Sequence, residues 1–171
     1  AERLQAVRAG APKAKIMVDA NECLDAESYK SLLPILEELG VIAIEQPFPS
    51  DADDMLKDLP RPIPVIADES AHTAHGLKPL VGKYDMVNIK LDKTGGLTEA
   101  LALRDAALAE GFDVMVGCMV GSSLAMAPAV LVAQGAKIVD LDGPLLLAED
   151  RMAALTFDSA GVHPPVRALW G

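Results

Sequence analysis

The sequence has 171 residues, a formal net charge of −10 and a hydrophobic fraction of 51%. This length suffices for one well-buried domain, and the apolar fraction excludes an intrinsically disordered chain. The negative charge argues against nucleic acid as a partner, because binding to phosphates needs clusters of Lys and Arg.

The sequence also lacks the signals of a membrane or secreted protein. No apolar run reaches the roughly 18 residues that a membrane span needs. The opening residues, AERLQAVRAG, have no signal-peptide hydrophobic stretch. Cys23 and Cys118 belong to no CxxC or CxxH motif, so the reducing cytoplasm is the expected compartment.

Short apolar segments alternate with helical patterns along the chain. In chain order, the sequence predicts a helix at residues 1–9, a strand at 15–18, a helix at 25–39, a strand at 41–44, a helix at 51–59, a strand at 64–67, a helix at 73–81, a strand at 86–89, a helix at 98–110, a strand at 112–116, a helix at 122–133 and a strand at 137–139. Because the strands are apolar nearly throughout, they are expected to form a parallel sheet that is covered on both faces.

This order of elements predicts the fold class. Repeated strand–helix units fit either a doubly wound sheet or most of a (β/α)₈ barrel. A complete barrel needs about 250 residues, so this chain has room for about six of the eight units. The expected fold is α/β, an incomplete (β/α)₈ (TIM-type) barrel, with the partial barrel at residues 1–143 and a C-terminal tail at residues 144–171.

Charged residues stand where the apolar strands end. Asp19 follows IMV, Glu45 follows IAI and Asp68 follows VIA. In a parallel barrel the carboxyl ends of all strands share the rim that carries catalytic groups. Three carboxylates there repel one another unless a cation lies between them, and oxygen ligands favour Mg²⁺ or Mn²⁺. The alternative for each acid taken singly is a strand-end cap or a solvated loop residue.

Lys90 and Asp140 end two further strands of the predicted rim, after VNI and KIV. Lys90 is a candidate general base, and its pKa must then fall from the ordinary value of about 10.4. The alternative is an exposed strand-end lysine. Lys93 lies in the same motif, but the strand phase places it in the following loop, so the catalytic role is assigned to Lys90.

At these residues the sequence resembles the enolase superfamily, specifically its muconate-lactonizing-like branch and the dipeptide epimerases within it. The matching segments are VDAN, EQP, ADES, NIKLDKTGG, VGCM and DLDGP. The last segment is the most discriminating and carries Asp140 and Asp142.

The resemblance implies an isomerase of murein peptide recycling that epimerises L-Ala-D/L-Glu dipeptides. It implies that Asp19, Glu45 and Asp68 bind Mg²⁺, which holds the substrate carboxylate and stabilises the enediolate formed when the α-proton leaves. Lys90 would be one of two opposed lysines that remove and return this proton.

The remaining pocket residues follow from the same motifs. The resemblance implies that Asp140 and Asp142 receive the ammonium group of the dipeptide. Cys118 and Met119 are expected to line the substrate pocket, and simple packing is the alternative for both.

Two departures from the family affect these expectations. The family's other lysine lies in a Lys-x-Lys motif, which does not precede Asp19 here, and its N-terminal lid domain is absent. The chain is therefore expected to be an inactive fragment holding strands 3 to 8. The missing N-terminal part of the same protein, or a homo-oligomer, would complete it, and the tail would pack on the barrel or the lid.

Other functions remain open on the same scaffold. They are o-succinylbenzoate synthesis, cycloisomerisation and N-acylamino acid racemisation, or no catalysis at all in a truncated fragment. The DLDGP segment argues against the first three, because their substrates carry no free ammonium group.

Overall fold

The computed structural model describes all residues from Ala1 to Gly171 and divides into two compact units. The first unit comprises Ala1–Ala71 and Lys78–Met86, and the second comprises His72–Leu77 and Val87–Gly171. None of the helices combines the length and the apolar character that crossing a bilayer requires.

Three parallel strands form the sheet of the first unit. They are β1 (Ile16–Asp19), β2 (Val41–Glu45) and β3 (Val65–Ala67). Helix α1 (Glu2–Gly10) precedes β1, α2 (Ala26–Glu38) joins β1 to β2, and 3₁₀ helices lie at Asp53–Lys57 and Lys78–Leu80.

Local sequence explains where α2 begins and which face it buries. The Asp25 carboxylate accepts a hydrogen bond from the Ser28 N–H at 2.7 Å, which caps the helix N-terminus. Tyr29, Leu33 and Leu36 follow at helical spacing and are buried on one face.

The second unit continues the strand–helix order. Its elements are β4 (Met86–Ile89, beginning at the unit boundary), α3 (Leu91–Thr94), α4 (Leu97–Ala109), β5 (Asp113–Val116), α5 (Ser123–Val132) and β6 (Ile138–Val139), followed by the antiparallel hairpin β7 (Phe157–Asp158) and β8 (Gly161–Val162). Further 3₁₀ helices lie at Ala74–Gly76 and Gly143–Leu146. The order of the strands in the sheet is the chain order, β1 to β6.

The predicted strands match the observed ones closely, and the differences concern short helices. The helix predicted at residues 51–59 is a 3₁₀ helix of five residues, Asp53–Lys57. The helix predicted at residues 73–81 is two short 3₁₀ turns, because Gly76 and Pro79 interrupt this segment. Helix α3 was not predicted. It is a single turn that ends at Gly95, whose φ of 79° suits glycine.

The tail after residue 143 is tied to the second unit through the start of α5. The Asp150 carboxylate accepts hydrogen bonds from the Ser123 N–H at 2.9 Å and from the Ser123 hydroxyl. In turn, Ser123 Oγ accepts the Leu155 N–H at 2.8 Å. Asp150 therefore satisfies one backbone N–H group that the helix itself leaves without a partner. The domain boundary between residues 143 and 144 stays a prediction.

Candidate active site

The acids at the ends of β1, β2 and β3 leave the sheet on one face. Asp19 pairs with Glu45 in the parallel register, and Glu45 pairs likewise with Ile66. Side chains alternate between the two faces of a strand, so Asp68, two residues beyond Ile66, follows the same phase. The register therefore places three carboxylates at one end and on one face of the first unit's sheet.

Two of these carboxylates are withdrawn from water. Glu45 is 2% exposed and Asp68 is 4% exposed, whereas Asp19 is exposed. The Asp19 carboxylate accepts a hydrogen bond from the Asn21 N–H at 2.9 Å, which holds it over the following turn. Buried carboxylates need charges or hydrogen bonds that compensate them, and a bound cation is one source of such compensation.

The raised pKa of Glu69 reflects its burial and the negative electrostatic potential around these acids. Burial raises its pKa most, and the negative charges of Asp68, Asp19 and Glu22 raise it further. A bound cation would reverse the charge contribution. As the side chains stand, no three His, Cys, Asp or Glu residues of the chain form a metal-binding group, so the convergence of these acids on one ion stays a prediction.

In the second unit, Lys90 lies directly after β4 and against the end of β5. The Gly117 N–H donates to the Ile89 carbonyl at 3.0 Å and so fixes the two strand ends together. A Cβ atom at Gly117 would stand 3.1 Å from Lys90 Cε and 2.7 Å from Asn88 Oδ1. Residue 117 therefore leaves room for the Asn88 amide and for the stem of Lys90 by having no side chain.

Lys93 lies in α3 rather than in the loop predicted for it, because residues 91–94 close a helical turn before Gly95. Its ammonium group donates to the Asn88 carbonyl at 2.9 Å. This contact gives Lys93 a structural role, and the assignment of proton transfer to Lys90 stays a prediction.

Asp140 and Asp142 lie beside each other after β6. Desolvation raises the pKa of Asp140 most, and the charge of Asp142 and a hydrogen bond with it raise it further. The positive charge of Lys90 acts in the opposite direction, so Asp140 lies within the electrostatic reach of Lys90. Two neighbouring acids of which one resists ionisation form a favourable place for a substrate cation.

A cavity of about 430 Å³ opens beside these acids. Asp140 and Asp142 line it together with apolar residues of β6, the following 3₁₀ helix and the hairpin, among them Val139, Leu145 and Phe157. It is large enough for a small ligand.

Cys118 is partly buried and lies near the same acids, and the next residue, Met119, is 50% exposed. Burial raises the pKa of the Cys118 thiol, a hydrogen bond with the Gly143 backbone lowers it, and the charges of Asp140 and Asp142 raise it again. The thiol is therefore neutral at ordinary pH and suited to packing. A substrate contact for Cys118 and Met119 stays a prediction.

Two residues of the site were not singled out from the sequence, although both lie in motifs that were. Gly117 is in VGCM, and Gln46 is in EQP, where it is fully buried with a left-handed backbone φ of 33°. A polar residue directly after a strand-end acid is the only signal of Gln46 in the sequence.

Comparison with known proteins places this arrangement among relatives. The family model described as "Enolase C-terminal domain-like" matches residues 1–157. The chain is 48% identical to an N-acetyl-D-glutamate racemase of Pseudoalteromonas, over 99% of this chain and 54% of that protein. It is also 48% identical to the L-Ala-D/L-Glu epimerase of Escherichia coli K12, over 95% of this chain and 50% of that protein. The chain thus spans about half the length of the curated relatives it matches.

Solved structures give the same result. An enolase family member from Agrobacterium tumefaciens, with homology to dipeptide epimerases and with bound sodium and L-Ala-L-Glu, is 52% identical. It superposes with a TM-score of 0.96 over 99% of this chain and 52% of that chain. A dipeptide epimerase from Methylococcus capsulatus, complexed with Mg and L-Arg-D-Lys, is 32% identical, with a TM-score of 0.88 over 95% of this chain and 49% of that chain.

These matches confirm the predicted fold class, an incomplete (β/α)₈ barrel. They also confirm the predicted resemblance to the enolase superfamily and to its dipeptide epimerases.

Proposed function

Because the chain belongs to the enolase C-terminal domain-like family, we propose that the full-length protein containing it epimerises L-Ala-D/L-Glu-type dipeptides. In this isomerase, the α-hydrogen of the residue with the free carboxylate leaves and returns on the opposite face. The observation that carries the proposal is the adjacent pair of acids, Asp140 and Asp142, within the electrostatic reach of Lys90. Relatives that are named dipeptide epimerases support it.

The proposed cofactor is Mg²⁺, with Mn²⁺ as a substitute, and its ligands are Asp19, Glu45 and Asp68. The common face of the three acids, the burial of two of them and their all-oxygen donor set support a hard cation. When bound, the ion supplies positive charge beside the substrate carboxylate as the α-proton is removed.

Lys90 is the proposed base on one face of the substrate. Gly117 leaves room for its stem against the end of β5, and in the proposed reaction its neutral amine removes the α-proton. Inversion needs a second proton carrier on the opposite face. We assign that group to sequence outside this chain or to a second copy, since the relatives are about twice as long. The chain alone is then inactive.

Asp140 and Asp142 are the proposed partners of the dipeptide's ammonium group, and Cys118 and Met119 are proposed to contact the substrate beside them. An ammonium ion next to Asp140 favours the ionised carboxylate and so offsets the desolvation that raises its pKa. This part of the site therefore recognises the free amine on the first residue of the dipeptide.

A second candidate is racemisation of an N-acetylated glutamate, which the Pseudoalteromonas relative's name suggests. The proton chemistry is the same, because both substrates are glutamates with an acylated nitrogen and a free α-carboxylate. They differ at the acyl group, since an acetyl group offers no cation to Asp140 and Asp142. We rank the dipeptide first for this reason.

We place the reaction in the cytoplasm, in the reuse of murein-derived dipeptides. The cysteines support a reducing compartment, because Cys23 and Cys118 are both free thiols.

The test is hydrogen exchange by the full-length protein with Mg²⁺ in D₂O. With L-Ala-L-Glu as substrate, we expect deuterium to enter at the glutamate α-carbon and L-Ala-D-Glu to appear. NMR measures both changes. Lys90→Ala should abolish exchange from one stereoisomer. Exchange with N-acetylglutamate and none with the dipeptide would support the second candidate instead, and exchange with neither would reject both.

A further inference from the structure

Gln46, next to the proposed ligand Glu45, is held in an unusual conformation. Its side chain is fully buried in the first unit, and its φ of 33° lies in the left-handed region that few residues other than glycine adopt. Such conformations persist only where surrounding contacts over-determine them, and they concentrate at functional sites.

The contacts of Gln46 reach the loops after all three strands of the first unit. Its side-chain Oε1 accepts the N–H groups of Asp68 at 2.9 Å and Ser70 at 3.2 Å. Its backbone N–H donates to the Ile66 carbonyl at 2.9 Å, and its carbonyl accepts the Glu22 N–H at 2.9 Å. One residue therefore joins the segments that follow the three strands, next to the proposed metal ligands.

The orientation of the Gln46 carboxamide is determined by its surroundings. Its Nε2 lies 2.9 Å from the Phe48 carbonyl oxygen, which can only accept a hydrogen bond. Nε2 also lies 2.8 Å from Ser70 Oγ and 3.0 Å from the Tyr84 hydroxyl. The amide nitrogen must face this side, which leaves Oε1 for the backbone N–H groups of the third loop.

A buried ion pair fixes the next layer. The hydroxyls of Ser70 and Tyr84 donate to Asp53 Oδ2 at 2.7 and 2.8 Å, so their oxygens share as acceptors the one Gln46 N–H that does not point at Phe48. The other oxygen of Asp53 pairs with the Lys83 ammonium group, and the two side chains are 4% and 6% exposed. Through Tyr84, the carboxamide of Gln46 thus ends a buried chain of hydrogen bonds that begins at Lys83, and Ser70 gives a second, part-buried route.

We propose that Gln46 is a positioning residue for the metal site. Its carboxamide holds the segment that begins at Asp68 against the end of β2, and its backbone joins that end to the segments after β1 and β3. The Asp53–Lys83 pair holds the carboxamide in register. The inference rests on the proposed function, because it takes these three acids as Mg²⁺ ligands. Residues that orient metal ligands typically change metal affinity by about 10- to 100-fold when they are substituted.

The test compares Mg²⁺ affinity, measured by calorimetry, between variants of the full-length protein. Gln46→Met keeps the length of the side chain and removes its hydrogen bonds, and we expect Mg²⁺ binding at least about 10-fold weaker. In the same variant, the amide hydrogens of Asp68 and Ser70 should exchange faster. Tyr84→Phe removes only the outer hydroxyl, so it should fold even if Gln46→Met does not, and it should weaken binding by a smaller factor.

The control is Leu33→Ala, which truncates a buried residue of α2 in the same unit. It should lower the melting temperature and leave Mg²⁺ affinity unchanged. Wild-type affinity in both network variants would overturn the positioning role and leave the proposed function intact, and so would an equal loss of affinity in Leu33→Ala. A wild-type protein that binds no Mg²⁺ would instead reject the metal site itself, and the inference with it.

Discussion

Asp19 and Glu45 stand opposite each other in the parallel register of β1 and β2, each at the carboxyl end of its strand. Neighbouring strands lie about 4.8 Å apart, so like charges at paired positions repel. The chain adds Asp68 in the same phase on the next strand instead of a basic partner. Carboxylates in this relationship favour a bound cation, which is the basis of the metal site proposed here.

Glu45→Gln should remove the stabilisation that Mg²⁺ gives to the full-length protein. A ligand that binds only the folded state at a hundredfold excess over its Kd stabilises it by about 2.7 kcal/mol. Melting curves with and without Mg²⁺ measure this difference. Glu38→Gln, at an exposed position of α2, is the matched control and should keep the full effect. Equal Mg²⁺ stabilisation of Glu45→Gln would exclude Glu45 as a ligand.

Gly117→Ala should displace Lys90 and slow proton exchange. The added methyl group would stand 2.7 Å from Asn88 Oδ1 and 3.1 Å from Lys90 Cε, so the Asn88 amide must move and the stem of Lys90 beside it must shift as well. A misplacement of about 1 Å can cost on the order of 100-fold in rate. We expect kcat to fall far more than KM changes, as measured by α-deuterium incorporation. Gly10→Ala, where a Cβ meets nothing within 4 Å, is the control. An unchanged kcat in Gly117→Ala would show that the stem of Lys90 needs no such space.

Binding of the dipeptide should weaken on acidification through the raised pKa of Asp140. Only the ionised carboxylate attracts the substrate's ammonium group, and the pKa of Asp140 lies above the ordinary 3.8. KM for L-Ala-L-Glu should therefore rise as the pH falls from neutral towards the raised pKa, while KM for any N-acetylated glutamate that is turned over should not. Steady-state kinetics over this range measures the difference.

The Asp140→Asn variant separates the titration of Asp140 from acid-induced loss of structure elsewhere in the protein. The variant should raise KM for the dipeptide by about 10- to 100-fold, the range for a hydrogen bond to a charged group, and should flatten its pH dependence. Asp105→Asn, at an exposed position of α4, should change neither. A dipeptide KM that is unaffected by Asp140→Asn would move the ammonium site elsewhere.

Ser123→Ala should destabilise the protein by about 1–3 kcal/mol, because it removes the partner of the Leu155 N–H and one partner of Asp150. Denaturant unfolding measures this cost. Ser31→Ala removes an exposed hydroxyl on α2 that donates to the Ser28 carbonyl, and it should have little effect. Equal stability of the two variants would mean that the tail is not anchored at α5.

The same contact should make stability depend on acid pH. Hydrogen bonds from the Ser123 side chain and backbone lower the pKa of Asp150 below 3.8. Because the folded-state pKa is the lower one, the stabilisation is complete well above pH 3.8 and is lost as the pH falls through the folded value. The acid-side loss should be smaller in Ser123→Ala, and an identical pH profile would contradict this account.

The sequence predicted the strand ends because their signals are local, and it made the acids after them candidate ligands, a role that stays a prediction. A short apolar run followed by Asp19, Glu45 or Asp68 fixes both the strand and the phase of the acid. The ranking of Lys90 over Lys93 likewise followed from strand phase, and the helical turn at Leu91–Thr94 was missed because four residues carry no helical period.

The contacts that support the site were beyond the sequence because they join distant residues. Gln46 bonds to residues 68, 70 and 84, and Asp150 caps a helix that begins 27 residues before it. Similarly, the need for glycine at position 117 depends on the distance between two strands rather than on any turn. Nothing in local composition predicts such partners.

A crystal of the full-length protein grown with Mn²⁺ tests the central claim most directly, because the anomalous signal locates the ion. We expect one peak at coordination distance from carboxylate oxygens of Asp19, Glu45 and Asp68 together. A peak at other residues, or none under saturating Mn²⁺, would contradict the metal site on which the proposed reaction depends.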